Sequence, residues 1–224
     1  MIFPLNYQFG TNLFNNQLIL SVHHIAFDGW SLDVLLSELV DYYNGKKLKD
    51  LPIQYKDFAT WQRENHGESY FAESLDYWEK EFKDFEQLDL PTDFVRPTQF
   101  DYSGDEITFK VSSRIYKKLE KLARKNGTTM YTVFLAAFYI LLSSYSNQED
   151  ITIGSPLANR QFLGCEELIG YFVNTLPVRA KLGRDQSFRD LVTQTHEKMS
   201  SVQEYQETPF EKIVNVLKLK SGYL

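Results

Sequence analysis

The sequence is poor in cysteine and has no apolar run of membrane-spanning length. Cys165 is the only cysteine among 224 residues, which excludes an internal disulfide. The N-terminus shows no positively charged leader before an apolar core, so we expect a reducing, cytoplasmic compartment. The longest apolar run, Met130 to Tyr145, is shorter than the roughly 20 residues that cross a bilayer. It predicts a buried core helix, and no membrane is expected as a partner.

Basic residues are also in the minority. The chain has 24 Lys and Arg against 30 Asp and Glu, for a formal net charge of -6. Nucleic acids and anionic membranes select clustered Lys and Arg, so neither is expected as the main partner. Apolar residues make up 43% and charged residues 24%, which is typical of a soluble globular protein. A small substrate or a protein partner fits this balance better.

Hydrophobic periodicity predicts strands and helices in both halves of the chain. Residues 17–23, QLILSVH, alternate as a strand, and residues 32–43 carry apolar side chains at helical spacing up to Asn44 and Gly45. Residues 51–85 are helical in pattern and rich in aromatic side chains. Two prolines and a glycine in residues 90–104 interrupt the pattern and predict a linker.

The second half repeats this mixture. Residues 106–111, EITFKV, predict a strand, and Ser112 or Ser113 is placed to cap a helix that ends near Asn126 and Gly127. Thr128 or Thr129 opens the apolar helix. Residues 150–157 and 168–182 predict two strands, and residues 187–205 a helix in which Ser187 and Asp190 resemble a capping box. The predicted class is mixed α/β.

Residues 21–31, SVHHIAFDGWS, lie between a predicted strand and a predicted helix. A neutral imidazole with a pKa of about 6.5 suits a general base, and His24 is our candidate. Asp28 follows His24 by four residues, a distance that a tight turn closes, so its carboxylate is expected to fix the local backbone. Gly29 permits an unusual φ or the close approach of another backbone segment. A metal site with His66 or His196, a purely structural histidine pair and a Ser-His-Asp hydrolase remain open, although no G-x-S-x-G elbow is present.

HHIAFDGWS resembles the H-H-x-x-x-D-G motif of condensation domains from non-ribosomal peptide synthetases, in the chloramphenicol-acetyltransferase-like superfamily. Further stretches resemble blocks of that family in the same order. They are YKDFATW (55–61), LPTDFVRP (90–97), GSPLANR (154–160), LIGYFVNTLPVR (168–179) and YQETPFE (205–211). Several blocks spread from residue 20 to residue 211 are far more specific than one motif.

The resemblance implies a two-lobed α/β sandwich that is incomplete here, truncated at both ends. It implies the C-terminal part of the first lobe in residues 1–89, an inter-lobe linker in residues 90–104 and a partial second lobe in residues 105–224. Two blocks that precede the histidine motif in the family, and the bridge that follows the PFE block, have no counterpart in this sequence.

The implied reaction is amide formation between acyl or aminoacyl groups tethered as thioesters to phosphopantetheine arms of donor and acceptor peptidyl carrier domains. His24 would act as the base or orienting group. His23, Asp28, Gly29 and Arg96 would support the motif, with Arg96 holding Asp28. Gly170 and Asn174 would border the substrate channel. No metal and no resident cofactor are implied, and adjacent synthetase domains are expected neighbours.

Two other functions remain open. The chain could be a catalytically silent truncated remnant or an interaction module. It could also be an acyltransferase that forms esters with the same histidine. Because the chain lacks parts of both lobes, we expect it to be inactive by itself.

Overall fold

The computed structural model describes residues 6–11, 16–95 and 103–217. Its strands are β1 (Asn6–Thr11), β2 (Asn16–Ser21), β3 (Asp150–Leu157) and β4 (Asn174–Lys181). Its helices are α1 (Gly29–Tyr43), α2 (Tyr55–Asn65), α3 (Ala72–Glu81), α4 (Ser113–Lys125), α5 (Met130–Ser146), α6 (Phe188–Glu204) and α7 (Phe210–Val216). Short 3₁₀ turns occupy His24–Ala26, Glu68–Phe71 and Cys165–Glu167. The mixed α/β class is confirmed.

The described strands form two pairs. β1 and β2 pair antiparallel, from Asn6 opposite Ser21 to Thr11 opposite Asn16. β3 and β4 are neighbours in a second two-stranded sheet. The strand predicted for residues 168–182 therefore begins only at Asn174, and the residues before it are irregular.

Helix ends follow the capping residues that the sequence predicts. Ser112 caps α4, and its side chain accepts a hydrogen bond from the Ile115 amide. Ser187 and Asp190 form a reciprocal capping box at the start of α6. Beyond α1 and α4, Gly45 and Gly127 adopt φ values of 76° and 61°, a left-handed conformation that ends a helix with little strain in glycine.

The strand predicted for residues 106–111 is wrong. Residues 103–112 are irregular, and Ile107 and Phe109 are 89% and 80% exposed. Alternation gives a segment one apolar face, but a strand also needs a neighbour that accepts its backbone hydrogen bonds. No described strand pairs with these residues.

The described residues form two compact units, each with its own core. The first runs up to Ser74 and includes Pro156–Thr175, and the second runs from Leu75 to Ser155 and continues from Leu176. Buried residues of the first unit cluster around Phe58, Cys165, Leu168 and Phe172. Those of the second unit cluster around Ala123, Val133, Ala136, Leu191 and Val192. The lobe limits given above stay a prediction, and residues 96–102 of the linker lie outside the described part.

Two helices keep apolar surface exposed. The face of α1 predicted from the leucine spacing includes Leu36 and Val40, which are 47% and 56% exposed. α5 buries Val133, Ala136 and Tyr139 but exposes other apolar side chains. Among the described residues, no single helix has the length and apolarity to cross a membrane, and one bent pair, α4 with α5 at 107°, satisfies these limits only jointly.

Candidate functional site

The histidine pair lies on a short 3₁₀ turn between β2 and α1. β2 ends at Ser21, so strand alternation does not set the direction of either ring. His23 caps the turn, and its Nδ1 accepts the Ile25 amide at 3.1 Å. The Ala26 amide donates to the His23 carbonyl at 3.0 Å, and the Phe27 amide to the His24 carbonyl at 3.2 Å. The turn fixes the backbone of both residues, and it uses one ring nitrogen of His23.

Asp28 follows the turn and caps α1. It is 1% exposed, and its Oδ1 accepts the Ser31 amide at 2.9 Å. Its Oδ2 accepts the Phe172 amide at 3.0 Å. A carboxylate at a helix N-terminus satisfies an otherwise unpaired amide and complements the helix dipole. Asp28 therefore joins the start of α1 to residue 172, far away in the sequence.

Among the described residues, Arg160 is the cation that holds Asp28. Its Nη2 donates to Asp28 Oδ1 at 2.9 Å, and the side chains of the pair are 2% and 0% exposed. Its Nη1 donates to the carbonyls of Cys165 and Leu168, at 2.6 and 2.7 Å. The guanidinium carbon also lies 4.1 Å from the centre of the Phe172 ring. The fork geometry of arginine suits these several acceptors at once.

Ser31 completes this buried network. Its hydroxyl lies 2.7 Å from Asp28 Oδ1 and 2.8 Å from the Gly170 carbonyl, and donates its one proton to either. The same oxygen accepts the Gly170 amide at 3.0 Å and Arg160 Nη2 at 2.9 Å. Ser31 is fully buried, so its removal would strand several polar groups without water.

The network keeps Asp28 charged. Burial by itself would raise the pKa of Asp28, but the bonds from the Ser31 hydroxyl and amide, the Phe172 amide and the Arg160 charge outweigh it. The pKa therefore lies below the ordinary value of 3.8. A buried carboxylate that accepts several hydrogen bonds from donors and a cation favours its ionised form.

Residues 170–172 are held close to the histidine turn. Ser31 bonds both backbone groups of Gly170, and Tyr55 donates its hydroxyl proton to the Tyr171 carbonyl at 2.7 Å. A Cβ on Gly170 would lie 2.2 Å from Tyr55 Cδ2, so this position has no room for a side chain. Gly170 thus allows the backbone to pass against the Tyr55 ring.

His24 meets this segment through its ring. The imidazole and the Tyr171 ring are edge-to-face, with centroids 5.6 Å apart. The His24 side chain is otherwise exposed. Among the described residues, the imidazole is therefore exposed beside a single aromatic ring, on a turn that ends directly before the buried Asp28–Arg160 pair.

The structure brings together most, but not all, of the residues predicted for the site. His23, His24, Asp28 and Gly170 are all placed around the turn. Gly29 begins α1 without a positive φ, and a Cβ there would meet nothing within 4 Å. Asn174 is the first residue of β4. Arg96 lies outside the described residues, and within them the guanidinium that bonds Asp28 is that of Arg160.

Sequence reasoning missed three contributors. Ser31 and Arg160 end the stretches HHIAFDGWS and GSPLANR, but spacing gives no sign that their side chains meet. Tyr55 belongs to the aromatic-rich helical stretch 51–85, and that pattern gives no sign that its hydroxyl bonds the Tyr171 carbonyl. The sequence offers one signal for their role, which is that Ser31 and Arg160 are polar residues at the ends of separate family-like stretches.

The described residues contain no group of three or more His, Cys, Asp or Glu side chains able to hold a metal ion. His66 instead stacks on Tyr70, with ring centroids 4.0 Å apart. His196 Nδ1 is 3.1 Å from the Thr128 hydroxyl.

Comparison with known proteins gives the family. The condensation-domain model matches residues 8–222. Gramicidin S synthase 2 of Brevibacillus brevis is 39% identical over 204 residues, which cover 91% of this chain and 5% of that protein. Bacitracin synthase 1 of Bacillus licheniformis is 39% identical over 204 residues, which cover 91% of this chain and 4% of that protein.

Solved structures agree with this family match. A four-domain nonribosomal peptide synthetase bound to AMP and glycine matches with a TM-score of 0.83 and 25% identity, over 91% of this chain and 16% of that one. The X-domain from teicoplanin biosynthesis matches with a TM-score of 0.82 and 24% identity, over 96% of this chain and 51% of that one. The chain thus spans about half of that single domain, and the condensation-domain fold is confirmed.

Proposed function

Because the chain belongs to the condensation-domain family, we propose that it carries the catalytic segment of a domain that joins two carrier-tethered acyl groups through an amide bond. The donor and acceptor would arrive as thioesters on the phosphopantetheine arms of peptidyl carrier domains. The observation that carries the proposal is the exposed His24 imidazole, held on a turn whose base is the buried Asp28–Arg160 pair.

In the proposed reaction the acceptor's α-amine attacks the donor's thioester carbonyl. A C–N bond forms, the C–S bond breaks, and the electron pair leaves with the thiolate. The amine has an ordinary pKa near 8 and must lose a proton. His24 accepts this proton and then donates it to the departing sulfur. Base assistance of this kind is typically worth ~10²–10⁴-fold, and positioning of the two reactants adds to it.

The other residues would act through His24. His23 offers its Nδ1 to the Ile25 amide and shapes the turn. Asp28, Ser31 and Arg160 fix the junction between the turn and α1, and Tyr171 limits the rotation of the His24 ring. Active sites need such support because reacting groups must be held within about 0.5 Å of the productive geometry.

The test is a condensation assay with the domain of which this chain is part. A donor carrier loaded with an aminoacyl thioester is incubated with an acceptor carrier loaded with either an amino acid or the matching hydroxy acid. Intact-mass detection is expected to show the condensed product on the amine-loaded acceptor. Product on the hydroxy acid alone would identify an ester-forming enzyme, and no product on either would favour a silent interaction module.

A further inference from the structure

Helix α4 concentrates positive charge on one side. Its basic residues, here called the basic stripe, are Arg114, Lys117, Lys118, Lys121, Arg124 and Lys125. At 3.6 residues per turn these six positions fall within an arc of about 120° along a helix about 20 Å long. All six are exposed. α4 has a formal charge of +5 and the rest of the chain -11, which together give the -6 of the whole.

The stripe weakens the helix that carries it. Arg114 and Lys118, Lys117 and Lys121, and Lys121 and Lys125 are like-charge pairs at i, i+4, which destabilise a helix. Arg114 also lies at the positive end of the helix dipole, whereas only Arg124 and Lys125 lie at the favourable end. Within the described part of the chain, one ion pair reduces the repulsion among these basic side chains, from Arg124 to Glu120 at 3.1 Å.

An ordinary solvated helix face mixes both signs of charge. This one has a single carboxylate at its margin, so solubility does not account for it. Docking of an anionic partner accounts for the basic stripe, because the partner would supply the missing counter-charges. Ile115 and Tyr116 flank the stripe and are 50% and 45% exposed, which adds apolar contact area of the kind found in interfaces.

The fold disfavours a membrane as that partner. An interfacial helix inserts its apolar face into lipid, but the apolar side of α4 is already used. Leu119 and Leu122 pack on the core cluster of the second unit, and Ala123 is part of it. A long polyanion such as DNA would also meet the -11 carried by the rest of the chain. A compact protein with an acidic face suits a stripe about 20 Å long.

We propose that the basic stripe of α4 is a docking surface for the acidic face of a carrier domain. This rests on the proposed function, since carriers are the folded proteins that the reaction brings to the domain. The stripe would attract the carrier over a distance of the order of the Debye length, about 8 Å at physiological salt, and orient it on arrival.

The test measures the affinity of a phosphopantetheine-loaded carrier domain for the condensation domain at several salt concentrations. Lys117→Glu/Lys121→Glu is expected to weaken binding about 10-fold at low salt and to flatten the salt dependence. The control, Lys47→Glu/Lys83→Glu, makes the same change in net charge at exposed lysines outside α4 and is expected to bind within 2-fold of the wild type. Lys117→Gln/Lys121→Gln, which introduces no new charge, should lie between the two.

A charge swap gives the sharper outcome. A carrier whose acidic docking residues are replaced by lysine should lose affinity for the wild type and regain it with Lys117→Glu/Lys121→Glu. Equal affinity of both double variants for the carrier, or a stripe that prefers a DNA oligonucleotide or anionic vesicles, would overturn the proposal. Product formed normally by the stripe variant at saturating carrier would leave the proposed reaction intact, so the two failures are distinguishable.

Discussion

At the scale of single residues, the contribution of the Asp28 charge to stability can be measured directly. Asp28→Asn removes the anion and leaves the Arg160 guanidinium buried without its counter-charge. Breaking one side of a buried pair commonly costs ~3–5 kcal/mol, so we expect a loss of that order in the free energy of unfolding. Urea denaturation at neutral pH measures it, with Asp33→Asn, an exposed aspartate of α1, as the control.

The loss of stability in Asp28→Asn is expected to depend on pH, and the direction of the pKa shift sets the sign of that dependence. The folded-state pKa of Asp28 is lowered, so its contribution is fully present above the unfolded value of 3.8. It declines as the pH falls below 3.8 and is lost once the pH passes the folded-state pKa. The stability gap between the wild type and Asp28→Asn should therefore shrink on acidification below pH 3.8. A gap that stayed constant down to pH 2 would show that Asp28 does not ionise within the network.

Tyr171 is expected to restrain the His24 ring. Its ring is the aromatic neighbour of that imidazole, and its own backbone is fixed by Tyr55. Tyr171→Ala should abolish the nuclear Overhauser contact between the two rings and release the His24 side chain, whereas Tyr171→Phe should keep the contact. Tyr42→Ala, at an exposed tyrosine of α1, is the control and should leave the His24 ring signals unmoved.

At the scale of secondary-structure elements, two glycines of the site have opposite roles. Gly170 lies against Tyr55, so Gly170→Ala must displace the ring or the backbone, and overpacking of this kind typically costs ~1–3 kcal/mol. Gly29 opens α1 with free space around its Cα, so Gly29→Ala should change stability by less than about 0.5 kcal/mol. Thermal denaturation of the two variants compares them directly. A greater loss in Gly29→Ala would contradict the packing described for both sites.

The leucines of α1 and of the segment before β4 differ in the same way. Leu168 is 1% exposed in the core of the first unit, and Leu168→Ala should cost ~2–5 kcal/mol. Leu36 is 47% exposed on α1, and Leu36→Ala should cost less than about 0.5 kcal/mol. Identical chemistry at both positions makes urea unfolding a matched comparison. Equal losses would mean that something covers the face of α1.

Sequence reasoning was strongest where local chemistry decides the structure. The Ser112 cap of α4, the capping box of α6 and the glycines after α1 and α4 follow from side chains within a few residues of each helix end. It failed at residues 106–111, because pairing depends on a neighbouring strand that alternation cannot reveal. The family resemblance named Arg96 for Asp28, a call that lies outside the described residues, and among the described residues Arg160, 132 residues away in the sequence from Asp28, bonds that carboxylate. Proximity along the chain carried no information about that contact.

At the scale of the whole molecule, the chain spans about half the length of the teicoplanin X-domain that its fold resembles. The chemistry of its first unit is nevertheless continuous, from the histidine turn through Asp28, Ser31 and Arg160 to Gly170 and Phe172. This network joins three of the family-like stretches, HHIAFDGWS, GSPLANR and LIGYFVNTLPVR. The turn, the start of α1 and the segment after Arg160 form a single hydrogen-bonded unit.

We propose that His24 performs the proton transfer or the orientation that makes the acceptor amine reactive. The most direct measurement is the single-turnover rate of condensation at saturating loaded carriers, for the domain containing this chain and for its His24→Ala variant. We expect a rate ~10²–10⁴-fold lower in His24→Ala, with the fold retained. A rate within 2-fold of the wild type would contradict it.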